Sequence, residues 1–304
     1  MCKIKKWGAG VLAISMMLGM ALGISGCGKK EEGNSGKNDA KTDAVKETTE
    51  LQVFIAASLN KAMTELAEKY QQTHPEIKII YNADSSGTLM NQIKEGYECD
   101  LFFSAAQKQM NLLEEEGLVV EGTRQDVVNN QVVVITLKGS GTAVTGLADL
   151  EKAKSIALAG GSVPVGKYTR QALVNMGKLP SSEDVSKITT EQVSEALGGV
   201  EISEQDNVSK VLAAVAEGSC EVGTTYYSDT WGYEDKLEVL ETVSKELTGS
   251  VTYPIARIIN KDAEEKRNEA AEEFLSYVLS DEAKEVFRSY YFDTDREATA
   301  FMSK

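Results

Sequence analysis

The sequence has little of the residue types on which metal centres, disulfide frameworks and nucleic-acid binding depend. Its 304 residues include one histidine, four cysteines, and 32 lysines and arginines against 47 aspartates and glutamates. The cysteines are too few and too scattered for a disulfide framework or a C-x-x-C metal site, and one histidine makes a zinc site improbable. The formal net charge of -15 argues against nucleic acid or an acidic membrane surface as a partner. Any bound anion must be held by local groups, because the long-range field repels it.

The sequence also lacks the motif of a serine hydrolase. It contains no G-x-S-x-G elbow, and His74 follows the first predicted helix instead of lining a strand end. We therefore expect neither enzymatic activity nor a cofactor. An extracellular hydrolase that uses Ser58 or Ser86 as its nucleophile is kept as an alternative.

The N-terminal region has the pattern of an exported and anchored protein. Three lysines among the first six residues precede an uncharged run over 7–26 that ends in small residues, which predicts a signal peptide over 1–26. Ile24-Ser-Gly-Cys27 resembles the lipobox of bacterial lipoproteins, which implies cleavage before Cys27 and acylation of that cysteine. The alternative is a retained transmembrane anchor, since the run is about long enough to span a bilayer. Residues 27–50 contain few large apolar side chains and are predicted to form the lipidated, flexible tether.

The folded part begins with a strand that leads into a helix. Val53-Phe-Ile-Ala56 has the apolar content of a buried parallel strand. Leu59, Met63, Leu66 and Tyr70 then recur at helical spacing. Ser58 stands at the junction and is predicted to be the N-cap of that helix. Free N–H groups and the positive end of a helix dipole at such a junction favour an anion.

Two further junctions of the same kind follow. Ser85-Ser86-Gly87 comes after a short strand and leads to a helix predicted to begin near Thr88. Pro164 precedes a third helix start, in which Lys167 and Arg170 are expected to be solvated. The alternation of strands and helices along the rest of the chain indicates an α/β fold with parallel strands. In such folds ligands bind at the carboxyl ends of the strands.

Six segments, in this order, are similar to those of the periplasmic molybdate-binding proteins of ABC transporters: Ala56-Ala-Ser-Leu59, Ser85-Ser-Gly-Thr-Leu89, Asp100-Leu-Phe-Phe-Ser-Ala105, Val163-Pro-Val-Gly-Lys-Tyr168, Asp206-Asn-Val208 and Tyr226-Tyr-Ser-Asp229. The resemblance runs from about Leu51 to the C-terminus. It implies a type II periplasmic-binding-protein fold, in which two Rossmann-like α/β lobes are joined by two crossing strands and the ligand lies in the cleft between them. Lobe one is expected to comprise 51–133 plus 256–304 and lobe two 134–255, with crossings near 132–136 and 253–258.

The resemblance also implies five ligand-binding residues. The hydroxyl and backbone N–H of Ser58, the side chain of Ser86, the backbone N–H groups of Val165 and Val208, and the phenol of Tyr226 would hold the oxyanion. Molybdenum would be bound only as the oxyanion, through hydrogen bonds and without direct protein ligands.

Two features depart from the pattern of that family, and one further expectation concerns thiols. Gly87 stands where a hydroxyl residue is often seen, and the segment from Ser181 to Glu204 is longer than usual. Cys99 and Cys220 would fall in different lobes, so each is expected to be a small buried hydrophobe without a bridge.

The resulting hypothesis is a monomeric, extracytoplasmic protein, lipid-anchored to the cell membrane, that binds molybdate and tungstate and delivers them to an ABC permease. One alternative is a binding protein for another tetrahedral oxyanion, such as sulfate or phosphate. A small organic acid is disfavoured because the loops lack a dedicated arginine for a carboxylate. A sensor or adhesion lipoprotein that has kept the fold and lost the ligand is a further alternative.

Overall fold

The structure, a computed structural model, describes residues 48–294. The predicted signal peptide, Cys27 and the tether up to residue 47 lie outside the described residues, as do residues 295–304. Within 48–294, no helix combines the length and the apolar composition needed to cross a membrane.

The described residues form ten strands and nine α-helices. The strands are β1 (Thr49–Ala56), β2 (Ile77–Asp84), β3 (Leu101–Phe103), β4 (Gln125–Asn130), β5 (Val132–Leu137), β6 (Ser155–Ala159), β7 (Glu201–Gln205), β8 (Val222–Tyr226), β9 (Leu237–Thr242) and β10 (Val251–Arg257). The helices are α1 (Asn60–Thr73), α2 (Ser86–Lys94), α3 (Gln107–Glu115), α4 (Pro164–Asn175), α5 (Thr190–Ala196), α6 (Val208–Ala216), α7 (Lys245–Thr248), α8 (Glu265–Val278) and α9 (Asp281–Ser289).

The first sheet has the strand order β2-β1-β3-β10-β4. β1 runs parallel to β2 and β3, and β10 runs antiparallel to β3 and β4. Val53 and Ile55 of β1 belong to one apolar cluster, with side chains of α1, α8 and α9, whereas Phe54 belongs to another, with side chains of α2 and α3. Helices thus cover both faces of the sheet, which explains why β1 reads as a continuous apolar run. We call this sheet and its helices the first lobe.

The second sheet has the order β7-β6-β8-β5-β9. β6 is parallel to β7 and β8, and β5 is antiparallel to β8 and β9. Helices α4 and α6 contribute Val165, Leu173, Val211 and Val215 to its core, each fully buried. We call this sheet, with α4 to α7, the second lobe. Two α/β lobes were predicted, and this fold class is confirmed.

The chain crosses between the sheets twice. The first crossing lies at Gln131, between β4 and β5, and the second lies between the end of β9 and the start of β10, over 243–250. Both crossings come earlier in the chain than the ranges 132–136 and 253–258 that the sequence suggested. An apolar run such as that of β5 shows that a strand is buried, but the pairing with distant strands decides to which sheet it belongs. The expected lobe boundaries at 133/134 and 255/256 therefore fall inside β5 and β10.

Candidate functional site

A small cleft lies where the two lobes face each other. Its first-lobe side follows the carboxyl ends of β1, β2 and β3, and its second-lobe side follows those of β6, β7 and β8. This is the edge at which open α/β sheets bind ligands. The lining residues are Ala56, Ala57, Ser58, Asp84, Ser85, Ser86, Ala105, Val163, Pro164, Val165, Asn207, Val208 and Tyr226.

All five residues predicted to bind a ligand line this cleft together. Ser58 and Ser86 come from the first lobe, and Val165, Val208 and Tyr226 come from the second. The space between them is small, a cavity of about 10 Å³. Pockets for drug-sized organic molecules are far larger. The geometry favours a compact inorganic ion.

Ser58 is not the helix N-cap that the sequence predicted. It lies inside a single 3₁₀ turn, Ala57–Leu59, and α1 begins only at Asn60 without a side-chain cap. The extra turn separates strand from helix, so the Ser58 hydroxyl is not used to cap α1. It forms a hydrogen bond with the hydroxyl of Tyr253 instead, at 2.9 Å.

Ser86 is the first residue of α2, two positions before the predicted start. The helix begins earlier because Ser85 is its N-cap and accepts a hydrogen bond from Thr88 N at 3.2 Å. The Ser86 Oγ accepts a hydrogen bond from Ala105 N at 2.9 Å. Because a backbone N–H can only donate, the single hydrogen of the Ser86 hydroxyl is available to another acceptor.

Two helix N-termini border the cleft from the second lobe. Val165 lies in the first turn of α4, and Val208 is the first residue of α6. First-turn N–H groups have no partner within the helix and carry the positive end of its dipole. Asn207 is the N-cap of α6, and its side chain accepts a hydrogen bond from Lys210 N.

Tyr226 ends β8 and is buried, with 1% of its surface exposed. Among the described residues its hydroxyl has no hydrogen-bond partner. Burial raises the pKa of the phenol well above its ordinary value, so the group is protonated at neutral pH and can donate. A buried hydroxyl without a partner is costly, and because Tyr226 also lines the cleft, its hydroxyl is a candidate binding group.

Asp84 contributes the formal charge to the lining, and local sequence patterns did not identify it. Its Oδ1 accepts hydrogen bonds from Ser85 N at 2.7 Å and from the Asn207 side chain at 3.0 Å. The second bond joins the two lobes directly beside the cleft. None of the lining residues is a lysine or arginine, so an anion here would be held by neutral donors.

Arg170 was expected to be solvated, and this prediction was wrong. The residue is fully buried, and its guanidinium donates to the carbonyls of Ile188, Ala159 and Gly166 at 2.8, 2.8 and 3.0 Å. Burial lowers the pKa of Arg170 to about 10. The three carbonyls belong to the end of β6, the first turn of α4 and the segment before α5. Arg170 therefore fixes the backbone behind Val165 and does not contact the cleft.

His74 and the two buried cysteines lie outside the cleft. His74 ends α1 and stacks on Tyr70 with ring centroids 4.0 Å apart, and it does not line the cleft. No group of three or more His, Cys, Asp or Glu side chains within 48–294 is arranged to hold a metal ion. Cys99 and Cys220 are free and buried, as predicted.

The family of bacterial extracellular solute-binding proteins matches residues 51–293. A Bacillus subtilis protein assigned by name as an ABC transporter substrate-binding lipoprotein, YvgL, is 30% identical over 259 residues, covering 85% of this chain and 91% of that protein. The molybdate-binding protein ModA of Haemophilus influenzae is 26% identical over 246 residues, or 79% and 88% of the two chains. A solved substrate binding domain assigned to a molybdenum ABC transporter of Clostridium difficile is 33% identical, with a TM-score of 0.58 and coverage of 81% and 99%.

The chain therefore belongs to the bacterial extracellular solute-binding proteins, and it is an ABC transporter substrate-binding protein. Its two lobes and two crossings are the periplasmic-binding-protein fold that the sequence led us to expect. The resemblance to the periplasmic molybdate-binding proteins is confirmed by the relatives.

Proposed function

We propose that this protein binds molybdate, and tungstate as well, and delivers the oxyanion to an ABC permease. One observation carries the proposal. Five groups able to donate hydrogen bonds, from Ser58, Ser86, Val165, Val208 and Tyr226, line a single cleft that is far smaller than the pockets of drug-sized organic molecules. A tetrahedral dianion has acceptor oxygens on all sides and matches a cleft of converging donors.

Binding would need no positive side chain. Each hydrogen bond to a charged group contributes roughly 1.5–3 kcal/mol, so a set of five donors supports tight binding of a dianion. Molybdate and sulfate share charge and shape, so size is what separates them. Donors held at the spacing of the larger ion cannot all reach the oxygens of the smaller one.

The remaining parts of the proposal concern the place of the protein in the cell. Residues 1–26 would direct export, acylated Cys27 would anchor the chain to the cell membrane, and the following residues would act as a tether. The boundaries of the expected lobes, 51–133 with 256–304 and 134–255, would move to the two crossings, at Gln131 and over 243–250. The protein would act as a monomer without catalysis. Among the described residues, the Ser58 hydroxyl pairs with a tyrosine hydroxyl, that of Tyr253.

The proposal is tested by ligand-induced stabilisation. Molybdate at about a thousand times its Kd is expected to raise the free energy of unfolding by about 4 kcal/mol. Urea unfolding of the purified protein is measured without ligand and with molybdate, tungstate, sulfate or phosphate. Stabilisation by sulfate or phosphate but by neither molybdate nor tungstate would contradict the proposal. Stoichiometric labelling of Ser58 or Ser86 by a fluorophosphonate probe would instead favour the hydrolase.

A second candidate, hydrogen phosphate, is favoured by one observation. Asp84 lines the cleft, and a carboxylate can accept the hydrogen that this anion carries and molybdate lacks. Replacing Asp84 with Asn separates the candidates. Phosphate binding would be lost if the carboxylate accepts a ligand hydrogen, whereas molybdate binding would persist or strengthen because a negative charge is removed.

A further inference from the structure

A chain of buried hydrogen bonds leads from Ser58 to residues that flank both crossings. The Ser58 hydroxyl pairs with the Tyr253 hydroxyl at 2.9 Å. The side-chain amide of Asn130 donates to the same Tyr253 oxygen at 3.2 Å and to the Ser228 hydroxyl at 2.8 Å. Asn130 is the last residue of β4, next to the first crossing, and Tyr253 lies near the start of β10, after the second. Tyr253 is fully buried, and Asn130 is 2% exposed.

The direction of each bond in this chain can be worked out from the backbone. The Asn130 Oδ1 accepts hydrogen bonds from Gln131 N at 2.9 Å and from Ser228 N at 3.4 Å. Backbone N–H groups only donate, so this atom must be the oxygen and the other must be the NH₂ group. The amide of Asn130 therefore donates to the Tyr253 oxygen.

The hydrogen of Tyr253 then has one acceptor within hydrogen-bond geometry. Among the described residues the Tyr253 hydroxyl forms hydrogen bonds with Asn130, which donates, and with Ser58, whereas the hydroxyl of the neighbouring Tyr226 forms none. If Ser58 donated as well, the Tyr253 hydrogen would be buried without an acceptor, at considerable cost. Tyr253 therefore donates to the Ser58 oxygen, and the single hydrogen of Ser58 is left to point elsewhere. Ser58 lines the cleft.

We propose that Tyr253, held by Asn130, is a positioning residue that turns the Ser58 hydroxyl into an obligate hydrogen-bond donor toward the bound oxyanion. Tyr253 does not line the cleft and acts only through Ser58. The inference rests on the proposed function, since it requires an acceptor ion beside Ser58. It deepens that function, because both first-lobe hydroxyls of the site, Ser58 and Ser86, then donate. Such donors suit an ion that accepts hydrogen bonds at every oxygen. Ser86 is turned the same way by Ala105 N.

The test is a double-mutant cycle on molybdate affinity. The Kd is measured by calorimetry for the wild-type protein, Tyr253→Phe, Ser58→Ala and the double variant. Phenylalanine keeps the ring and removes only the hydroxyl. Tyr253→Phe is expected to weaken binding about 3- to 10-fold, the effect of one buried hydrogen bond. In the Ser58→Ala background the same change is expected to alter the Kd by less than about twofold.

A matched control removes another buried phenol hydroxyl. Tyr70 is 2% exposed and its hydroxyl has no partner among the described residues, so Tyr70→Phe should leave the Kd unchanged. Thermal unfolding of each variant checks that it folds. A loss of affinity from Tyr253→Phe that is equal in both backgrounds would show a merely structural role and overturn the inference, as would no loss in either.

The proposed function and the inference fail in different ways. Wild-type protein that binds sulfate or phosphate but not molybdate would contradict the proposed function, and the same cycle with the ion that binds would still test Tyr253. Wild-type protein that binds molybdate with no coupling between Tyr253 and Ser58 would contradict the inference alone. If none of the four oxyanions bound, both would fall.

Discussion

At the scale of single residues, the site is defined by the acceptor that is available to each hydroxyl hydrogen. Ser58 and Ser86 both receive a hydrogen bond from the protein, one from Tyr253 and one from Ala105 N. The Tyr226 hydroxyl receives none within the described residues. Each of the three therefore has a hydrogen to offer to a ligand. Neutral donors of this kind suit an anion in a protein whose own charge is strongly negative.

Tyr226→Phe is predicted to move affinity and stability in opposite directions. The change removes a buried hydroxyl without a partner, so the unliganded protein should be equally stable or up to about 1 kcal/mol more stable. The same change removes a donor to the ligand and should weaken molybdate binding by about 10- to 100-fold. Urea unfolding and calorimetric titration measure the two effects. A variant that loses stability while keeping its affinity would contradict the assignment of Tyr226.

Asp229→Asn is predicted to change how stability depends on pH. Burial raises the pKa of Asp229 to about 6, although hydrogen bonds from Thr225 and from Tyr226 N act in the opposite direction. The stability that follows from the raised pKa of Asp229 is fully present below pH 3.8, the pKa in the unfolded state, where the carboxyl is protonated in both states. This contribution is lost as the pH rises through about 6, because the unfolded state ionises first.

The matching measurement compares unfolding free energies at pH 5 and pH 7. Wild-type protein should lose more stability than Asp229→Asn over this range, and the asparagine oxygen can still accept from Thr225 and Tyr226 N. Groups that titrate in both proteins cancel in the comparison. Identical changes in the two proteins would contradict a raised pKa at Asp229.

At the scale of elements, a glycine lets two parts of the site approach closely. A Cβ added at Gly87, in the first turn of α2, would lie 2.8 Å from the carbonyl oxygen of Ser162, in the loop before α4. The absence of a side chain at this position, which departs from the family pattern, allows α2 and the loop before α4 to meet beside the cleft.

Gly87→Ala is therefore predicted to weaken ligand binding without weakening the fold. Alanine favours a helix over glycine by roughly 0.5–1 kcal/mol, so the unfolding free energy should hold or rise. The clash with Ser162 would push the lobes apart and should raise the Kd for molybdate several-fold. An unchanged Kd would show that ligand binding does not require the close contact between Gly87 and Ser162.

The elements that sequence reasoning identified were the buried ones. An apolar run predicted β1, and apolar spacing predicted α1. β4, β7 and β9 were missed because each is an edge strand of its sheet with a largely polar, half-exposed sequence. The start of α1 was misplaced by one residue because a 3₁₀ turn precedes the helix. The start of α2 was misplaced by two residues because Ser85 is its cap.

The site was only partly visible in the sequence. Ser58, Ser86, Val165, Val208 and Tyr226 follow from the resemblance to a family, and the structure places them around one cleft. The bond between Ser58 and Tyr253 joins residues 195 positions apart, and Asp84 meets Asn207 across 123 positions. No local pattern reports such contacts, since the first depends on how distant strands assemble into one sheet and the second on how the two lobes meet.

At the scale of the whole molecule, two lysines of the first lobe hold the second lobe. Lys108 of α3 donates to both oxygens of Asp184, at 3.0 and 3.1 Å, and to Ser186 Oγ at 2.9 Å. Lys61 of α1 donates to the Trp231 carbonyl at 2.6 Å and lies over the rings of Trp231 and Tyr233. The long segment after Ser181 thus supplies one of these contacts. Ligand-dependent closure would make them and opening would break them.

Lys108→Met is predicted to shorten the lifetime of the complex without touching the cleft. The pair with Asp184 is partly exposed, so its loss should speed molybdate dissociation by only about two- to fivefold. Lys178→Met is the matched control, because Lys178 pairs with Glu151 at 2.9 Å within the second lobe. Stopped-flow displacement measures both rates. Equal rates in the two variants would contradict a role of Lys108 in closure.

The central claim is that donors from both lobes converge on a molybdate-sized dianion. Calorimetric titration of the wild-type protein with molybdate, tungstate, sulfate and phosphate tests it most directly. One site per chain is expected, with molybdate and tungstate bound at least about tenfold more tightly than sulfate or phosphate, a difference of about 1.4 kcal/mol. Heat of binding with sulfate or phosphate and none with molybdate or tungstate would contradict the account.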